Sequence, residues 1–172
     1  MVLVGAWTIF TLNLVHSAGW EWGDAIRHGA FQAAAIGTST GYASSDFASW
    51  PVLSLFILLF LMVVGASAGS TSGGLKILRL RLAFSLARRE IHRMVQPRAV
   101  VAVRMNGEVV EDSRMWVVIG MLSTWAALAM ISTVLLAFFE PTHSLETILS
   151  VIFAALGNTG PALGEFGPTS KI

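Results

Sequence analysis

Two short stretches of this chain carry the residue types that suit a dehydrated cation. TSTGYA occupies residues 38–43 and GNTGPALG occupies residues 157–164. Thr and Ser bring polarity without charge, and Gly41 and Gly160 tolerate the backbone angles that such a loop needs. Carbonyls turned toward one axis replace an ion's water shell, and Pro161 stiffens the second loop. Each stretch follows a short apolar segment, at about residues 29–37 and about 145–156. Runs of about 10–14 residues are too short to span a bilayer and read as re-entrant or core pieces. A helix that ends inside the membrane presents a partially negative carbonyl end to the loop beyond it. Irregular backbone at that depth survives only when buried in protein or lining a water-filled cavity. The chemistry predicted is a cation pathway.

The two stretches also align with each other. Gly41 and Gly160 lie 119 residues apart, and at that offset Ala35 meets Ala154 and Thr40 meets Thr159. Asp46 then meets Glu165, Phe47 meets Phe166, and Glu21 meets Glu140. The repeating unit reads as span, outer loop, re-entrant helix, glycine loop, loop, span. The first unit is nearly complete and the second stops just after its glycine loop, so the chain is expected to be truncated at both ends. Two such loops do not close a ring around an ion; four would.

The positioning elements follow from composition. Of 172 residues 55% are hydrophobic and only 12% charged, with mean hydropathy +0.71, against about 25% charged in a soluble domain. That deficit fits an all-α integral membrane protein and makes a soluble enzyme a poor fit. Eleven basic residues nearly balance ten acidic ones, so no global basic field points to nucleic acid. Residues 47–75 and 115–139 are uncharged and long enough to cross a bilayer. Residues 1–15 read as the tail of a further transmembrane helix. Nine of the eleven basic residues fall between Lys76 and Arg114, which places that segment in the cytoplasm. Trp20, Trp22, Trp50 and Trp116 lie near predicted span ends and read as interfacial belt residues.

Within the basic segment, Ile77, Leu80, Phe84, Ala87, Ile91 and Met94 form one helical stripe, limited by Pro97. Residues 99–105 and 108–110 flank Asn106-Gly107 and read as a hairpin. Stripe and hairpin either dock a cytosolic partner or pack on their own bundle. Just before them, GASAGSTSGGLK at residues 65–76 is rich in residues that weaken a helix and offer polar groups to water or an ion. It is not a P-loop: Leu75 separates Gly74 from Lys76, and Ile77 stands where Ser or Thr is required. His16, His28, His92 and His143 have no partner at metal-ligand spacing.

At these residues the chain resembles the membrane subunit of Trk/Ktr-type bacterial potassium uptake systems, the Trk branch most closely. The matching strings are TSTGYASSDFASWP (38–51), GASAGSTSGGLKILRL (65–80), REIHRMVQPRAV (89–100) and GNTGPALGEFGP (157–168). The resemblance implies four span–pore-helix–span repeats in one polypeptide around a single pore. Residues 1–94 would be the third repeat, 95–114 a cytoplasmic hairpin and linker, and 115–172 part of the fourth. The third selectivity filter then carries over to Thr38, Ser39, Thr40, Gly41 and Tyr42, and the fourth to Gly157, Asn158, Thr159, Gly160 and Pro161. Backbone carbonyls of these residues would hold K⁺. Ala162 stands where the family often has glycine, and Thr159 where it often has an aliphatic residue.

The same resemblance makes residues 65–76 an intramembrane gating loop, with Gly65, Gly69, Ser70, Thr71, Gly73, Gly74 and Lys76 as its candidate residues. It implies K⁺ as substrate, no cofactor and no enzymatic activity. It implies a multi-pass protein of the bacterial cytoplasmic (inner) membrane. It also implies a homodimer bound to a TrkA-like cytosolic nucleotide-binding regulatory subunit. A sodium or non-selective monovalent cation transporter and a non-conducting membrane scaffold remain as alternatives.

Overall fold

A computed structural model describes residues 2–65, 73–96, 104–105, 108–163 and 166–167. Six α-helices carry nearly all of the regular structure, in the order α1 (Val2–Ala18), α2 (Trp22–Gly37), α3 (Val52–Val64), α4 (Ile77–Val95), α5 (Asp112–Phe139) and α6 (Leu145–Gly157). A 3₁₀ turn at Phe47–Ser49 precedes α3. Strands β1 (Arg104–Met105) and β2 (Glu108–Val109) pair antiparallel between α4 and α5. Their register, Met105 opposite Glu108, leaves two residues to turn the chain, as the Asn-Gly reading expects. Asn106 and Gly107 themselves, and residues 97–103, lie outside the described residues.

Among the described residues one helix is long and apolar enough to cross a membrane, over Ser113–Phe139, and only 6% of its most apolar stretch is buried. The uncharged run at 47–75 is not a single helix. Asp46 caps the 3₁₀ turn by accepting from Ala48 N at 3.0 Å, and Pro51 starts α3. Gly65, at φ 65°, ends α3 after 13 residues. At 1.5 Å per residue α3 is about 20 Å long, short of the roughly 30 Å hydrocarbon core.

The packed centre is formed by α1, α2 and α3 with the C-terminal half of α6. Phe10 and Leu14 of α1, Ile36 of α2, and Leu58, Leu61 and Met62 of α3 are buried together with Ala154, Ala162 and Leu163. Lipid is as apolar as leucine, so association inside a bilayer depends on close packing and small residues. The α1–α2 contact shows this: a Cβ at Gly29 would lie 3.3 Å from Phe10 Cβ and from Thr11 Oγ1. Trp50 belongs to this core, not to an interfacial belt. It is 3% exposed and packs edge-on against Phe10 at 5.5 Å and Trp20 at 6.2 Å between ring centroids. Trp22 and Trp116 are exposed, as belt residues would be.

Helix α4 ends at Val95, two residues before Pro97, as expected when the residue ahead of a proline is turned away from helical angles. The predicted apolar stripe is not the packed side: Phe84, Ile91 and Met94 are exposed. Leu82 and Leu86 instead meet Met115 and Val118 at the start of α5. Among the described residues the stripe therefore stays open.

Candidate functional site

The two glycine loops leave their helices in the same way. In the first, Ser39 N donates to Ile36 O at 3.0 Å and Thr40 N to Ala35 O at 2.9 Å. In the second, Asn158 N donates to Ala155 O at 3.2 Å and Thr159 N to Ala154 O at 2.9 Å. These are the paired bonds of a Schellman helix terminus, repeated at the offset that aligned Ala35 with Ala154 and Thr40 with Thr159. The motif requires a left-handed residue directly after the cap. Ser39 supplies it at φ 57° and Asn158 at φ 52°. A serine there costs about 1–2 kcal/mol relative to glycine, and asparagine somewhat less.

Two residues further on, Gly41 stands at φ 79° and Gly160 at φ 99°. Both φ values are positive, so glycine is the natural occupant. The surroundings differ. A Cβ on Gly160 would meet nothing within 4 Å, whereas one on Gly41 would run into the carbonyl oxygen of Thr159 and lie 3.2 Å from Pro161 Cδ. The first loop thus rests on the backbone of the second. Residues distant in sequence are brought together because α2 and α6 both pack against α3.

The carbonyls of Thr40, Gly41, Thr159 and Gly160 accept no backbone hydrogen bond from another described residue. Thr38 and Thr40 are occupied with each other: their hydroxyls are 2.7 Å apart, and Thr38 Oγ1 also donates to Ala34 O at 2.7 Å. Tyr42 is exposed, and Thr159 is buried with its hydroxyl lacking a partner among the described residues. Carbonyls without a backbone partner among the described residues, at the negative ends of two helices, are an arrangement of the kind that attracts a cation without formal charge. Gly157, read from sequence as loop, is the last residue of α6.

Residues around the Gly-rich stretch close back on α3 and reach the second loop. Leu75 N donates to Val63 O at 3.0 Å and Lys76 N to Val64 O at 2.9 Å, so the chain returns beside the point at which it left. A Cβ on Gly74 would lie 2.9 Å from Gly65 Cα, and Lys76 adopts φ 62° to turn into α4. Gly73 N donates to Gly157 O at 3.1 Å, against the C-terminal end of α6. The neck of the stretch therefore touches the helix that carries the second glycine loop. It also borders a groove of about 480 Å³ against Val117, Met121 and Trp125 of α5. Gly69, Ser70 and Thr71 lie outside the described residues.

Three contacts escaped the sequence reading: the Gly73–Gly157 bond and one side-chain tie behind each glycine loop. His28 Nδ1 and Ser44 Oγ are 2.9 Å apart. Ser150 Oγ accepts from Leu163 N at 2.9 Å and donates to Thr147 O at 2.8 Å. The repeat offset carries Ser44 to Leu163 and His28 to Thr147, one turn before Ser150, so it marks the place of the second tie but not the residue that makes it.

Comparison with known proteins agrees with this geometry. The family model described as "TrkH: Cation transport protein" matches residues 2–171. A Trk system potassium uptake protein, TrkH, from Halomonas elongata is 32% identical over 165 residues, covering 96% of this chain and 34% of that protein. TrkH of Escherichia coli is 32% identical over 139 residues, covering 81% of this chain and 28% of its own length. The crystal structure of the potassium transporter TrkH from Vibrio parahaemolyticus superposes with a TM-score of 0.85 at 30% identity, over 96% of this chain and 35% of that one. This chain spans about a third of the length of the relatives it matches. With residues 2–171 matched and the same fold in a solved transporter, the chain belongs to the TrkH family of cation transport proteins and is a membrane protein.

Proposed function

We propose that this chain is the part of a Trk-type potassium uptake subunit that supplies two of its four filter loops. Thr38, Ser39, Thr40, Gly41 and Tyr42 form one loop; Gly157, Asn158, Thr159 and Gly160 form the other. Their backbone carbonyls hold K⁺ in place of water. The observation that carries this reading is the meeting of Gly41 with the Thr159 carbonyl at two helix ends of matching geometry. Residues 65–76 act as the gate, and their bond to Gly157 supports the assignment because it links the stretch to one filter directly. The subunit is multi-pass in the bacterial inner membrane, with residues 76–114 in the cytoplasm. The names of its relatives, potassium uptake proteins, support the choice of ion. Growth of a potassium-uptake-deficient host at low K⁺, rescued by the full-length transporter containing this segment, tests the reading. Rescue with K⁺ preferred over Na⁺ is expected; equal uptake of both ions contradicts it.

The 172-residue chain alone is expected to give no selective K⁺ flux in liposomes. Its two loops surround an ion on part of its circumference, and α5 leaves Met130, Val134 and Phe138 exposed. Isolated flux at the rate of the full-length transporter would contradict the four-loop arrangement, unless crosslinking showed that two copies had paired.

The subunit further works as a homodimer under a TrkA-like nucleotide-binding ring, which docks on the cytoplasmic segment. The stripe of Phe84, Ile91 and Met94 supports this, because it presents apolar surface that the other described residues leave uncovered, and the paired strands β1 and β2 stand beside it in sequence. Replacing residues 99–110 by a short Gly/Ser linker is expected to abolish co-purification with the ring and nucleotide control of flux. If both persist, the hairpin is only a connector.

A further inference from the structure

We propose that Ser150 and His28 are positioning residues for ion selectivity: each ties the strand leaving a glycine loop back to the helix that enters it. The inference rests on the filter reading above, and it adds residues outside the filter.

A loop of free carbonyls is a weak structure, because the groups that would pair with its backbone are withheld to face the ion. Its outgoing strand then needs support from behind. In both loops that support arrives three residues after the filter glycine. Beyond Gly160, Leu163 N donates to Ser150 Oγ at 2.9 Å, and Ser150 in turn donates to Thr147 O at 2.8 Å. Beyond Gly41, Ser44 Oγ lies 2.9 Å from His28 Nδ1. The repeat offset that carries Gly41 to Gly160 also carries Ser44 to Leu163 and His28 to Thr147. The second tie starts one turn further along its helix, at Ser150, whose hydroxyl bonds the Thr147 carbonyl, and it reaches the equivalent point of the outgoing chain by different chemistry.

The difference sets their strength. Ser150 is 0% exposed and Leu163 4%, so nothing replaces the hydroxyl if it is lost, and a buried amide is left without a partner. The His28–Ser44 tie is more open: the ring is half-buried beneath Trp20, with centroids 5.6 Å apart, and its Nε2 is 3.4 Å from Arg27 Nη2. Ser44 is exposed, so water reaches this tie and substitutes for it. Ser150 is thus expected to matter more.

The test uses the full-length transporter containing this segment, purified and reconstituted. Ser150→Ala removes the hydroxyl with almost no change in volume. It is expected to lower the K⁺-to-Na⁺ permeability ratio about tenfold, the factor for one unpaired buried amide. Amide exchange of the peptide covering residues 160–163 should rise in parallel. Ser150→Thr restores the acceptor and should recover both readings; His28→Ala should lower the ratio by about twofold. Should Ser150→Ala fail to fold, Ser150→Cys weakens the acceptor at similar volume and is expected to give an intermediate ratio. An unchanged ratio in Ser150→Ala, with the wild type selective, overturns the tether. A wild type that does not discriminate K⁺ from Na⁺ sinks the filter reading and with it any selectivity role. In that case faster exchange in Ser150→Ala still separates a structural hydrogen bond from no bond at all.

Discussion

Substituting alanine for Gly41 is expected to cut selective K⁺ uptake by the full-length transporter about a hundredfold while leaving its expression largely intact. Two costs fall on the same residue. An L side chain at φ 79° is strained by about 1–3 kcal/mol, and the new methyl group points into the carbonyl of Thr159. Either relief, a backbone flip at residue 41 or a retreat of the second loop, moves an oxygen that should face the ion. Gly160→Ala carries only the first cost, since open space surrounds it. The predicted order is therefore wild type, then Gly160→Ala, then Gly41→Ala, read as ⁸⁶Rb⁺ uptake in a potassium-uptake-deficient host and as the K⁺-to-Na⁺ ratio. Equal behaviour of the two alanine variants would mean that the loops do not rest on each other as described.

Gly157→Ala is expected to act through packing instead. Gly157 closes α6 and has no unusual φ, so alanine there is conformationally cheap. Its Cβ, however, would lie 2.6 Å from Met62 O and 3.0 Å from Thr159 Oγ1. Helix α6 would have to withdraw from α3, carrying the Gly73–Gly157 bond with it. Overpacking of this kind costs about 1–3 kcal/mol, so the detergent-solubilised transporter should lose several degrees of Tm and most of its uptake. The contrast with Gly41→Ala is one of cause: both variants lose stability, but at 41 the change sits in the glycine loop itself, whereas at 157 it sits in the packing of α6 on α3. A Gly157→Ala transporter with wild-type Tm would place α6 farther from α3 than the structure has it.

The sequence was informative where chemistry and periodicity coincide. Gly41 and Gly160 were singled out because an irregular loop restricts residue choice, and the structure gives both of them a positive φ. The extent of α6 was legible because its apolar run is short and bounded by polar sequence, and in the structure Ser144 caps its start, accepting from Thr147 N. Helix α2 begins at Trp22, well before the apolar stretch at residue 29, because its first turns are polar and carry Asp24. The division of 47–75 into α3 and a returning chain was only half visible. Composition marks glycine and serine there but does not say that Leu75 and Lys76 pair back with Val63 and Val64. Trp50 was misread for a related reason: tryptophan suits an interface and a packed core equally well, and only contact with Phe10 and Trp20 decides. On α4, the stripe had the right period but the packed side fell at Leu82 and Leu86, since partner helices choose the face. Tethers such as Ser150 to Leu163 leave no local mark, as one serine in an apolar helix has no pattern of its own.

On the filter reading, the backbone oxygens of residues 38–41 and 157–160 hold the transported ion. Anomalous diffraction from crystals of the full-length transporter grown with Rb⁺ or Tl⁺ tests it most directly. Ion density is expected at the junction of the two loops, within coordination distance of carbonyl oxygens from both, and is expected to be lost in Gly41→Ala. Density confined to carboxylates or side-chain hydroxyls elsewhere in the membrane region, with the junction empty, would contradict it.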